Sequence, residues 1–209
     1  MTAVVARGAR VLFIGDSITD AGRRRQQPGG MGNGYARMAS AWFTAQYPDH
    51  GATFFNRGVS GDRVRDLRAR WERDCLELSP QVVSVLIGVN DTWRRFTAGE
   101  ETSPDDFERD YRHILTAAKE RCGSELVLIE PFLIPVTTEQ CLWLDDLVLK
   151  IDVVRKLAAE FDATLVAVDR MYATAGVPDR VWTDDGVHLT DAGHALLADR
   201  WLRAIRPAS

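Results

Sequence analysis

Five short strand-like runs, spaced by amphipathic stretches, constrain this chain more than any other feature. They are Val11–Ile14, Thr53–Asn56, Val82–Ile87, Leu126–Ile129 and Leu165–Val168. A strand with one wet face alternates polar and apolar residues, whereas one buried on both faces reads as a continuous apolar run. Helical patterns fall between them. Tyr35 to Tyr47 is stopped by Pro48, and Val64 to Leu78 places Val64, Leu67, Trp71, Cys75 and Leu78 at spacings of three or four. Ser103-Pro104 opens a helix with a capping hydroxyl, a first-turn proline and two acids at the positive end of the dipole; it runs to Cys122 and stops at Gly123. Leu142 to Phe161 and a last helix from Thr190 or Asp191 to about Arg206 complete the set. The alternation predicts an α/β fold, a five-stranded parallel sheet with helices on both faces, whose chemistry lies in loops at the carboxyl ends of the strands.

Composition narrows the function. The 209 residues are read as one domain spanning 1–209, large enough to close its core without a disulfide or metal staple. Twenty-six basic against 30 acidic residues leave a net charge of −4, which argues against a nucleic-acid or anionic-membrane partner. No apolar run approaches the roughly 18 residues needed to span a bilayer. Cys75, Cys122 and Cys141 are odd in number and lack C-x-x-C spacing, as expected of reduced thiols in the cytoplasm. The run Val11–Ile14 is too short for a signal peptide, so the expected location is cytoplasmic. A closed homo-oligomer is expected from general frequency and from Trp-bearing segments suited to pack between subunits. The glycine-dense stretch Gly29–Gly34 reads as a mobile loop near the site.

Four blocks carry the candidate chemistry: Gly15-Asp16-Ser17, Asn56-Arg57-Gly58 and Gly88-Val89-Asn90-Asp91 after the first three strands, and Asp185-Gly186-Val187-His188 before the last helix. Together they describe acyl transfer to a serine. Ser17 needs a base, His188 supplies one, and Asp185, three residues earlier, is placed to orient the imidazole. The backbone N–H groups of Ser17 and Gly58 and the side-chain amide of Asn90 are the candidate oxyanion donors. Taken singly, each block has a plainer reading: G-D-S is common turn chemistry, Asn90-Asp91 a strand-to-helix turn, His188 a buried histidine. Their order and shared placement at strand ends argue for the joint reading. Trp93 and Trp182 offer flat apolar faces to a sugar, with packing as their alternative. Arg63 is a candidate pocket residue beside Gly58 or a structural partner of Asp66; Arg23-Arg24-Arg25 reads as a solvated run.

Rival chemistries fit less well. His188, Asp191 and His194 are close in sequence, but no H-E-x-x-H or cysteine pair supports a metal, and His194 reads as a packing or capping residue. The glycine stretch matches neither phosphate-loop pattern, and G-x-S-x-G is absent. Neither a cofactor nor a metal is therefore expected. A sugar-binding protein without turnover would have little reason to keep all five candidates.

The four blocks resemble the SGNH subgroup of the GDSL hydrolases, over almost the whole chain. The resemblance implies a flavodoxin-like three-layer α/β/α sandwich, with Ser17, Gly58, Asn90 and His188 as its four block residues and Asp185 completing the triad. FIGDSITDAGR, Gly32 to Tyr35, NRGVSGDRVRDLRARWERD, IGVNDTWRRF and DGVHLTDAGHALLA are similar in particular to intracellular acetylxylan esterases. That likeness implies a serine esterase acting on acetylated xylo-oligosaccharides or related small-molecule esters. A general short-chain acyl esterase, a lysophospholipase or a thioesterase of the same superfamily is the alternative. Phe132–Gln140 and Val181–Asp184 depart from the pattern and bear on which sugar is accepted.

Overall fold

A computed structural model describes residues 2–24, 29–168 and 170–208. In chain order the elements are β1 (Ala3–Val5), β2 (Arg10–Gly15), α1 (Ser17–Asp20), α2 (Tyr35–Gln46), β3 (Thr53–Asn56), α3 (Val64–Ala69), α4 (Trp71–Asp74) and β4 (Val82–Leu86). There follow α5 (Val89–Ala98), α6 (Pro104–Cys122), β5 (Glu125–Ile129), α7 (Thr138–Glu160), β6 (Thr164–Val166), α8 (Asp191–Ala204) and β7 (Ile205–Pro207). The five expected strands form one parallel sheet in the order β3-β2-β4-β5-β6. The order reverses between β2 and β4, and the crevice at such a switch point is where open α/β sheets bind ligands.

The strands are apolar on both faces because helices cover both. Val11 and Phe13 of β2 point into one core with Tyr35 and Phe43 of α2 and Leu197 and Trp201 of α8. Leu12 and Ile14 point into the other, with Val64, Leu67 and Trp71, Phe107 and Ile114 of α6, and Leu157 of α7. The period-two alternation of side chains across a strand thus sorts adjacent apolar residues into two cores.

Four expectations change. The helix expected over Val64–Leu78 is broken at Arg70 into α3, α4 and a 3-10 turn at Leu76–Leu78, although its spaced apolar positions still face the core. Asn90 and Asp91 lie in the first turn of a helix, α5, which the sequence reading lacks. α7 begins at Thr138, because Thr137 caps it by accepting from Gln140 N–H at 3.2 Å. The final helix ends at Ala204, and β7 pairs in parallel with β1 as a separate two-stranded sheet. The stretch Gly29–Gly34 is tied down at several points: Asn33 N–H donates to Ala21 O, and Met31 O accepts from Asn56 Nδ2. Among the described residues no helix is long and apolar enough to cross a membrane.

Trp201 joins α8 to the sheet. It is fully buried, its ring centroid lies 4.8 Å from that of Phe13, and its indole N–H donates to Ser84 Oγ at 3.0 Å. Trp201→Ala should cost about 3–5 kcal/mol in chemical denaturation. Trp201→Phe should cost less, since it refills most of the volume and loses mainly the Ser84 bond; equal losses would show that the hydrogen bond, not packing, dominates.

Candidate active site

The site is built where β2, β3 and β4 end. Gly15 lies so close to β4 that an added Cβ would stand 2.0 Å from Leu86 O and 2.9 Å from Thr19 Oγ1, so only glycine permits the turn out of β2. Asp16 caps α1 through its side chain, which accepts from Ile18 N–H at 3.0 Å. Ser17 then occupies the first position of that single turn. Its N–H has no intrahelical acceptor there and donates to no described residue.

A tight loop brings the base to the serine. Thr183 Oγ1 donates to His188 O at 2.7 Å and accepts from Gly186 N–H at 2.9 Å, closing residues 183–189 on themselves. Asp185 Oδ1 accepts from the N–H groups of Val187 and His188, and Oδ2 accepts from His188 Nδ1 at 2.6 Å. A carboxylate only accepts, so Nδ1 carries the proton and Nε2 is left to take one. His188 Nε2 lies 2.9 Å from Ser17 Oγ. Burial pushes the Asp185 carboxyl up, but the hydrogen bonds from His188 and Val187 outweigh it and hold the group below its ordinary range. Gln140, at the start of α7, anchors the loop by donating to Asp185 O at 2.7 Å. Thr137-x-x-Gln140 is itself a readable capping-box signal.

The expected glycine donor is corrected. Gly58 N–H donates to Asn56 Oδ1 at 2.8 Å, and an added Cβ would lie 2.2 Å from Asp20 N. Gly58 therefore packs β3's exit loop onto α1, and its N–H is already spent. Gly61 lines the cleft instead, at φ +85°, and its N–H donates to no described residue. Asn90 also lines the cleft; its amide donates one hydrogen to Asp62 O at 3.0 Å and keeps a second free.

The other candidate side chains turn different ways. Trp93 lines the cleft, its ring centroid 6.1 Å from that of His188. Trp182 does not; it packs on Tyr172 at 5.7 Å against the core. Arg63 is withdrawn from the cleft by ion pairs to Asp66 and Glu100 and caps α3, so it is a structural residue. Arg23 Nε donates to Gly58 O at 2.7 Å, so that run is only partly a solvated one; Arg25 lies outside the described residues. His194 is turned inward and Nδ1 accepts from Tyr35 N–H at 3.2 Å. With its pKa lowered to about 4, chiefly by burial, His194 is neutral and serves as a cap for α2. Among the described residues no three acids, histidines or cysteines gather as a metal set.

The cleft itself is open and small, about 290 Å³, and contains Ser17, His188 and Asn90. Larger hollows beside Trp42 and Trp71 hold no such serine–histidine pair. Residues 13–196 match the GDSL-like lipase/acylhydrolase family. The chain belongs to that family. It is a carboxylic ester hydrolase. It is 34% identical to an acetylxylan esterase of Geobacillus stearothermophilus over 96% of this chain and 95% of that one. A solved structure of an acetylxylan esterase from the same organism superposes with a TM-score of 0.87 at 32% identity, covering 97% of this chain and 98% of that one. A structure from Parabacteroides merdae, described as that of a GDSL-like lipase, gives 0.92 at 34% identity over 98% of each chain.

Beneath the cleft this family member buries two carboxyls. Asp16 and Asp91 are each raised to about 7, in both cases chiefly by burial; the neighbouring acids Asp91 and Asp62 add to the rise at Asp16, while Val64 N–H opposes it at Asp91. Arg70 holds the layer above together, with Nε on Asp62 at 2.6 Å, Nη1 on Arg57 O at 2.7 Å and Asp74 at 2.9 Å, and Nη2 on Gly15 O at 3.0 Å. Arg70→Met should lower kcat about 10²-fold through misplaced groups, and also lower stability, by about 1–3 kcal/mol, because the carbonyls of Gly15 and Arg57 lose their charged donor while Asp74 keeps Arg73. Steady-state kinetics beside a urea melt would check both, and unchanged kcat would deny the clamp its role. For Asp91, the native state keeps a proton that the unfolded chain releases between pH about 4 and about 7, so this group lowers stability as pH rises through that window. Asp91→Asn cannot ionise. Its melting temperature minus that of wild type should climb from pH 4 to 7 and then level off; a difference independent of pH would show that Asp91 is charged throughout.

Proposed function

We propose that this hydrolase is a serine esterase that removes acetyl groups from acetylated xylo-oligosaccharides or related sugars through an acyl-enzyme on Ser17. The observation that carries the reading is the unbroken hydrogen-bonded series from Ser17 Oγ through His188 to Asp185, open to a cleft. His188 Nε2 takes the hydroxyl proton as Ser17 Oγ attacks the ester carbonyl, and Asp185 steadies the resulting imidazolium. Negative charge then collects on the carbonyl oxygen. Three donors are free to receive it: the N–H groups of Ser17 and Gly61 and the second amide hydrogen of Asn90. His188 returns its proton to the departing sugar alkoxide, and water repeats the sequence to release acetate and restore Ser17.

Two further observations support an acetylated sugar. Trp93 presents an aromatic face beside His188, suited to the apolar face of a pyranose. The Geobacillus relative is named an acetylxylan esterase, and variants of it described as catalytic mutants replace a serine and an aspartate with alanine.

The test combines a variant with a substrate panel. Ser17→Ala should lose several orders of magnitude in kcat with the melt unchanged, and an organophosphonate should label the wild type once, at Ser17. Turnover should fall from acetate to butyrate to octanoate esters, because the cleft is small, about 290 Å³, and forcing extra methylenes into filled space costs about 1–3 kcal/mol. Acetylated xylo-oligosaccharides should exceed aryl acetates in kcat/KM, since remote sugar contacts are realised in the transition state. Label elsewhere would refute the nucleophile. A preference for octanoate or a thioester would refute the sugar and favour the lipase or thioesterase alternative.

A further inference from the structure

Helix α5 turns a succession of side chains toward the cleft: Asn90, Trp93, Arg94 and Thr97. Arg94 is the unusual member. Its half-buried side chain reaches across to Gly61, where an added Cβ would stand 3.7 Å from Arg94 Nη2. The other arginines around it are all committed. Arg63 pairs with Asp66 and Glu100, Arg65 with Glu100, and Arg95 with Asp146 and Glu101. Arg94 has neither a hydrogen bond nor an ion pair with any described residue, and Glu100, which feels its charge, is already gripped by two other guanidinium groups. Arg63 and Arg65 are thus taken up by Asp66 and Glu100, with buried Asp91 also in the field of Arg63, and the guanidinium of Arg94 is left at the cleft wall with no carboxylate in contact.

A neutral acetylated sugar presents hydroxyls and ring oxygens, and none of these matches a free guanidinium in charge. A carboxylate matches it in charge and in planar two-point geometry. One free cation, with its neighbours already neutralised, suits a monoanion better than a doubly charged phosphate. We infer that Arg94 makes the cleft selective for acetyl esters whose alcohol part carries a carboxylate, which in an oligosaccharide is a uronic acid next to the acetylated unit. The inference rests on the deacetylase reading for the sugar, though not for the charge.

The experiment measures kcat/KM for acetylated xylo-oligosaccharides with and without one uronic acid, for wild type, Arg94→Gln and Arg94→Lys, at low salt. Wild type should favour the acidic substrate about five- to tenfold, between the roughly tenfold or more of a desolvated charge-assisted hydrogen bond and the smaller gain of an exposed ion pair. Arg94→Gln should bring the ratio to about one, and Arg94→Lys should retain part of it. Raising the salt should erode the wild-type preference, since the screening length falls to about 3 Å at 1 M. A wild-type ratio of about one, or a ratio that the glutamine variant leaves unchanged, would overturn the inference. A parallel pair, 4-acetoxybenzoate and its methyl ester, separates the two claims. If neither oligosaccharide is turned over, the sugar reading fails; Arg94→Gln then still upholds the charge selectivity by lowering the ratio of acid to methyl ester, or overturns it by leaving that ratio fixed.

Discussion

The guanidinium of Arg70 is the interaction on which the candidate site depends. Three loops leave three different strands, and nothing in the sheet itself fixes their spacing beyond the last ladder bond. Arg70 reaches the carbonyl of Gly15 at the end of β2, the carbonyl of Arg57 just past β3, and the carboxylate of Asp62. Asp62 in turn gives its carbonyl to the amide of Asn90, which stands just past β4. A planar fork with five donors is the one side chain able to serve this many acceptors from a single position. The nucleophile's turn, the glycine loop and the amide donor are thus tied through one group that itself touches no substrate. Preorganisation of this sort matters because donors already aimed at a developing charge need no reorganisation when it forms.

Asn56 performs the corresponding task on the other side of the nucleophile. Its amide donates to Thr19 O at 2.6 Å and to Met31 O at 2.9 Å, and its carbonyl oxygen accepts from Gly58 N–H. The residue stitches α1, the glycine-dense stretch and the β3 exit loop into one unit. That same bond removes Gly58 from the list of free donors. Asn-Arg-Gly-Val-Ser-Gly offers two glycines three residues apart, and sequence order alone cannot say which N–H is already bonded. The answer depended on a side-chain hydrogen bond two residues away.

The same distinction explains what else was legible. The buried strands were readable because burial on both faces leaves an unbroken apolar run, and the Ser17, Asn90, Asp185 and His188 blocks because each follows a strand or precedes a capped helix. The break at Arg70 was not, since apolar spacing continues through it and only tertiary acceptors for the guanidinium draw the chain out of the helix. β1 and β7 are three residues each, too short for a period to show, and they pair across the whole length of the chain. α5 was missed because its polar face, with Arg94 and Arg95, masks the helical repeat after an apolar strand. Trp182 and Arg63 show the converse limit: their proximity in sequence to site residues gave no information about which way the side chains turn.

α5 joins two demands that are usually in tension. Its first turn holds Asn90 and is locked from below: Asp91 accepts from Val64 N–H, and Thr92 donates to Asp146, which also binds the fully buried Lys150 at 2.5 Å. Its later turns present Trp93, Arg94 and Thr97 to the open cleft, while Arg95 and Phe96 on the other side hold to Asp146 and Trp143. Substitution at the exposed end can therefore alter what the cleft recognises while the buried end keeps the amide in place. The arrangement separates the donor, which must be rigid, from the residues that meet the alcohol part of the ester. Chemistry can then stay constant while substrate preference varies, with selectivity set on one face of one helix and without disturbing the Arg70 and Asn56 networks that position the reacting groups.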